Sequence, residues 1–76
     1  MQEVLRDIVT GIIGEDADVN ITEKDGGNGI IILEVSVAQE NMGKVIGRKG
    51  KIAKAIRILM KAVANSRNEK ISVEII

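Results

Sequence analysis

Apolar positions recur along this chain with two different periods, and the switches between them mark out its elements. In residues 1–13, Val4, Leu5, Ile8, Val9 and Ile12 fall at helical spacing, with Glu3 and Asp7 early enough to favour the helix dipole. Gly14 supplies a stop. Gly11 interrupts the pattern at a cost of up to ~1 kcal/mol relative to alanine, and is read as a point of close packing. Over residues 18–24 the period drops to two, Val19, Ile21 and Glu23 alternating with Asn20, Thr22 and Lys24, which predicts a strand. Asp25-Gly26-Gly27-Asn28-Gly29 is the strongest turn signal in the chain and predicts a hairpin. The strand that follows, 30–37, sets Ile31, Leu33, Val35 and Val37 on one face and Ile30, Ile32, Glu34 and Ser36 on the other.

Residues 38–46 have room for one or two helical turns, with Met42, Val45 and Ile46 apolar. The clearest helix is 51–66, where Ile52, Ala55, Ile56, Leu59, Met60 and Val63 follow the i, i+3, i+4, i+7 template. Lys54, Arg57 and Lys61 fall on its opposite side, and Ile58 falls among them. A last strand, 70–76, opposes Ile71, Val73 and Ile75 to Ser72 and Glu74. The order α-β-β-α-α-β, without repeat or linker, predicts one α+β domain over 1–76: a three-stranded sheet with the helices packed on one face. The first two strands form an antiparallel hairpin, and the helix pair is a crossover long enough to return the last strand to the sheet.

Composition narrows the chemistry. Seventy-six residues leave a thin margin for burial, and with 45% apolar content and no aromatic residue the core must come from Ile, Val, Leu and Ala. Cysteine and histidine are absent, which removes disulfides, thiolate and imidazole metal ligands, cysteine nucleophiles and the usual general base. Ser36, Ser66 and Ser72 have no evident base beside them, and neither phosphate-binding glycine fingerprint, G-x-x-x-x-G-K-[ST] or G-x-G-x-x-G, occurs. Asp16 and Asp18 are a weak candidate for a divalent ion beside the simpler reading of a helix exit and turn. We therefore expect no catalysis, no cofactor and no metal. No apolar run approaches ~18 residues and no signal-type segment opens the chain, so a soluble cytoplasmic protein with no membrane association is expected.

The net charge of zero conceals a separation. Residues 1–42 hold two basic against nine acidic residues, and residues 43–76 reverse it with nine basic against two acidic. Such a domain can present a local positive field to a polyanion; the alternative is that its halves neutralise each other on folding.

At the centre of the basic half stands Val45-Ile46-Gly47-Arg48-Lys49-Gly50-Lys51-Ile52-Ala53-Lys54-Ala55-Ile56-Arg57. Two glycines bracket two cations just ahead of the long helix. Glycine permits positive φ and close approach of a ligand, and the first amides of a helix lack intrahelical partners and carry the dipole's positive end. A cationic glycine-bounded turn at such a helix start suits a phosphate. G-x-x-G is common by chance, but its place between two helices inside the α-β-β-α-α-β order makes it specific.

With that loop in that order, the chain resembles a KH domain of the type II topology, and more closely the small stand-alone bacterial KH proteins of the KhpA (YlqC-like) kind. The resemblance spans nearly the whole chain and is most specific over residues 42–57. Ala53 stands where the wider KH pattern has a larger aliphatic residue, with Ile52 one place earlier, a variant that matches the KhpA-like group. The resemblance implies that the loop clamps about four nucleotides of a single strand through their backbone. Gly47 and Gly50 would approach phosphates, Arg48 and Lys49 would supply charge, and Lys44, Lys51 and Lys54 would extend the cationic surface. Bases would lie in an aliphatic groove, for which Val45, Ile46, Ile52 and either Val35 or Val37 are candidates; the alternative is that each is core. The absence of aromatic side chains argues against a stacking platform.

Self-association, or pairing with a larger KH protein of the KhpB/Jag family, is also implied, together with RNA chaperoning or regulation and a link to cell elongation. Ile58 is then either an ordinary exposed residue or part of a dimer contact with Met60 or Ala62. Two function classes remain: a single-stranded RNA-binding module, or a dimerising subunit whose partner carries most of the RNA binding.

Overall fold

In a computed structural model, which describes residues 1–14 and 18–76, the predicted elements all form. They are α1 (Gln2–Ile13), β1 (Val19–Asp25), β2 (Ile30–Val37), α2 (Gln39–Ile46), a single 3-10 turn (Arg48–Gly50), α3 (Lys51–Ser66) and β3 (Lys70–Ile75). The pairing considered for Asp16 with Asp18 lies partly outside the described residues.

The sheet order is β1-β2-β3, with β1 antiparallel to β2 and β3 parallel to β2. Register fixes the faces. Ile21, Val35 and Ile75 lie in line across the sheet, as do Glu23, Leu33 and Val73, and these rows look towards the helices. Thr22, Glu34 and Glu74 share the opposite, uncovered face, where Lys24 Nζ meets Glu34 Oε1 at 3.0 Å. Helix α1 lies against β1 and α3 against β3, and α2 touches both of these helices. The core between the layers is aliphatic, as composition required: Leu5 and Val9 from α1, Leu33 and Val35 from β2, Val45 from α2, Ile56 and Met60 from α3, and Val73 from β3.

Two details differ from the sequence pattern. Gly11 is exposed, and a Cβ added there would meet nothing within 4 Å, so it marks no close packing. In α3 the buried stripe is Ala53, Ile56, Met60 and Ala64, whereas Ile52 and Leu59 are 37% and 48% exposed and Ala55 is exposed. The reason is that α3 carries two apolar stripes about one position out of phase. Its small residues Ala53 and Ala64, which hydrophobic patterning weights lightly, are the ones pressed against the domain. Met60, fully buried, is thereby removed from any dimer contact.

Because Gly11 has a helical, solvent-facing site with room for a methyl group, Gly11→Ala is expected to raise unfolding stability by about 0.5–1 kcal/mol. Urea denaturation followed by far-UV circular dichroism checks this, an optical probe suited to a chain without aromatic residues.

Candidate nucleic-acid interface

The loop is anchored from below by Val45, whose side chain has no exposed surface. Helix α2 closes with the Gly47 amide donating to the Gly43 carbonyl at 2.9 Å. Gly47 itself has φ 74° and ψ 178°, a region open essentially only to glycine. A second constraint acts at the same atom: a Cβ on Gly47 would stand 2.6 Å from Ile52 Cγ1. The chain then makes its 3-10 turn, the Gly50 amide donating to the Gly47 carbonyl at 3.3 Å.

Within that turn Lys49 is left-handed, with φ 55° and ψ 27°, a conformation costing a non-glycine residue about 1–2 kcal/mol. Gly50 follows, also left-handed at φ 74° and ψ 15°, with open space where its Cβ would be. Lys51 returns to right-handed helix. This left-to-right reversal turns consecutive amides towards a common concavity, a geometry that holds anions. The start of α3 has no side-chain cap, so its first amides remain available.

The cations predicted from sequence surround this concavity. Arg48 and Lys49 are exposed on the turn, Lys44 on the last part of α2, and Lys51 and Lys54 on the first turns of α3. Ile46 and Ile52 flank the turn at 39% and 37% exposure. Three groove candidates are corrected: Val45 and Val35 have no exposed surface and Val37 only 8%, so these side chains are core and have no face to offer a base.

Two residues that the sequence reading left out of the site are prominent. Arg57 and Lys61 line a cleft between α3 and the outer edge of β3, with Ile71, Ser72 and Val73 on the strand side. The cleft continues along Lys61, Ala64 and Asn65 towards Glu69 and Lys70. Arg57 Nε donates to the Val73 carbonyl at 3.2 Å, which holds its guanidinium at the cleft. The available signal was the i, i+3, i+7 spacing of Lys54, Arg57 and Lys61, a cationic row leading away from the loop. Among the described residues the one ion pair is Lys24–Glu34, so no basic residue of the C-terminal half is paired with an acid of the N-terminal half. The charge separation survives folding. Also among these residues, no three acidic side chains gather as a metal would need, and no helix is long and apolar enough to cross a membrane.

A parallel β2–β3 pair joined through two helices and a G-x-x-G turn, with an antiparallel strand and a helix added at the front, defines a type II KH domain. The chain belongs to the KH-domain family described as KhpA/KhpB, whose match covers residues 2–75. It is similar to the RNA-binding protein KhpA of Clostridium perfringens, at 46% identity over 76 residues covering 100% of both chains. It is also similar to RNA-binding protein KhpA of Listeria monocytogenes, 41% identical over 100% of this chain and 99% of the relative. Both relatives are named as RNA-binding proteins. Among solved structures the fold recurs in Era bound to MgGDPNP and nucleotides 1506–1542 of 16S ribosomal RNA, with TM-score 0.62 and 17% identity. Aquifex aeolicus Era bound to GDP·AlF4⁻ gives TM-score 0.61, again at 17% identity. In both, 96% of this chain is covered and it spans 28% of the Era chain.

The two loop glycines are expected to respond differently to substitution. Gly50→Asn, at a left-handed site with open space, should cost at most a few tenths of a kcal/mol beyond glycine's own contribution. Gly47→Asn should cost about 2 kcal/mol or more, because backbone conformation and Ile52 both oppose it. Parallel urea titrations give the comparison directly.

Proposed function

We propose that this protein binds single-stranded RNA, gripping the backbone with Gly47, Arg48, Lys49 and Gly50 and passing the strand into the α3–β3 cleft. The observation that carries this reading is the cationic row that links the two features. Among the described residues the turn has no acid paired to its cations, and the row Lys54, Arg57 and Lys61 leads from it along α3 to the cleft that Arg57 and Lys61 line. Lys44, Lys51 and Lys54 add to the field at the turn, and Ile46 and Ile52 give a base an aliphatic surface beside it. The RNA-binding names of the KhpA relatives support the choice of RNA. With backbone contacts dominant, sequence preference is weak, which suits a cytoplasmic RNA chaperone or post-transcriptional regulator.

The test is fluorescence anisotropy with a labelled single-stranded RNA at several salt concentrations. If about three phosphates are neutralised, log affinity should fall with log salt at a slope near −2. Arg48→Asp/Lys49→Asp should abolish binding while circular dichroism shows an unchanged fold, since both side chains are exposed. Equal binding by wild type and double variant would move the contact away from the loop.

A second reading concerns self-pairing. Ala55, Leu59 and Ala62 are all exposed and stand at 4-3 spacing, as in the a/d repeat of a helix–helix seam, with Ile58 at 61% exposure beside them. The chain exposes 5119 Å², whereas a monomer of 8.2 kDa is expected to expose about 4,500 Å². The excess, about 600 Å², is three-quarters of the roughly 800 Å² that one partner contributes to a standard interface. The occupant we assign to this seam is a second copy of the chain. Leu59→Asp is expected to convert a dimer to a monomer by light scattering. A wild type that is monomeric alone and pairs only with a larger KH protein of the KhpB/Jag family would replace this homodimer with the heterodimer.

A further inference from the structure

The seam and the RNA cleft use different sides of one helix, and their relative placement determines what a paired molecule can hold. At about 100° per residue, the seam residues Ala55, Leu59 and Ala62 centre roughly 130–170° around α3 from Lys61 and Arg57. Pairing through the seam therefore leaves both clefts open and turns them away from each other.

Charge selects the direction of pairing. Side by side in parallel, two α3 helices would bring both cationic loops, each with Arg48, Lys49 and Lys51, to the same end. Antiparallel, with Ala55 of one copy against Ala62 of the other and Leu59 against Ile58, Lys51 lies level with the uncharged Ser66 and Gly50 with Arg67 of the second copy, so each loop faces one cation instead of three. The two-fold axis then passes near residues 58 and 59, which sets the two Gly50 positions about 25 Å apart along the helix axes. That is about three Debye lengths at physiological salt, so the loops no longer repel strongly. Alanine at positions 55 and 62 allows the close approach that such a short seam requires.

We infer that the paired protein is a two-strand bridge: it holds two RNA single strands at once, one in each outward-facing cleft, running in opposite senses on opposite sides of the α3 pair. This rests on the RNA-binding and self-pairing readings above and adds the arrangement they impose. A clamp that engages about four nucleotides cannot reach its counterpart around the dimer, so a short strand occupies a single cleft. The activity that follows is the capture of two RNA segments by one protein, without any base pairing between them.

The experiment is native mass spectrometry of the full chain with a short single-stranded RNA, together with a bridging assay. In the latter, an immobilised RNA is asked to retain a second, labelled RNA with no complementarity to it. The expected complex is two chains with two RNAs, and wild type should retain the labelled strand at least tenfold above background. Leu59→Asp and Ala62→Glu should each lose that retention while binding a single RNA in anisotropy with little change, because neither residue lies in the loop or the cleft. Two chains sharing one RNA would overturn the proposal, as would bridging that persists in both monomeric variants. A wild-type monomer carrying one RNA would overturn it through the pairing reading. A dimer carrying no RNA would overturn it through the RNA reading instead.

Discussion

Parallel pairing of β3 with β2 is the constraint on which the rest of the molecule depends. Parallel neighbours cannot be joined by a tight turn, so the chain must leave one end of β2, cross the sheet face and re-enter at the other end. The crossover is α2 and α3, and the break between them is only the three residues Arg48–Gly50. A reversal that short is available only if residues leave the right-handed region, and Gly47, Lys49 and Gly50 all do. The loop's ability to present amides and cations is thus a by-product of the way a parallel strand is brought home.

The strain at Lys49 fits this account. A glycine or asparagine there would satisfy the turn more cheaply, yet the position holds a lysine at positive φ. Buried Val45 on one side and the stripe Ala53–Ile56–Met60–Ala64 on the other hold the ends of the turn, and they over-determine its conformation. Helix α3 consequently carries three surfaces: core through that stripe, cleft through Arg57 and Lys61, and an exposed apolar face through Leu59 and its alanine neighbours. Sixteen residues suffice because alanine is used wherever two surfaces must lie close.

Much of this was legible in the sequence. The period changes gave every element to within a residue at each end, because a single sheet with one covered face alternates cleanly and its helices are strongly amphipathic. The Gly47–Gly50 turn was legible for the same reason, since glycines at fixed spacing between two helices have few structural meanings. The phase of α3 was not, because two apolar stripes overlap in it and the pattern merged Leu59 with Ile56. Val45 stayed open between groove and core for a related cause: a valine next to a glycine-bounded loop looks the same in sequence whether it lines a groove or supports the loop from beneath. Arg57 and Lys61 were seen as a polar face, but that they look onto a strand edge depends on the β3 register, which no local pattern contains.

That strand edge carries one more implication. β3 is an edge strand, and the side of it not bonded to β2 is a row of open backbone groups, the kind of template on which another chain can add a strand. The Arg57 bond to the Val73 carbonyl occupies a central acceptor in that row. The arginine therefore guards that edge: while its guanidinium holds the carbonyl, the middle of the row cannot accept a bond from an added strand, so resistance to strand-mediated aggregation is tied to one side chain.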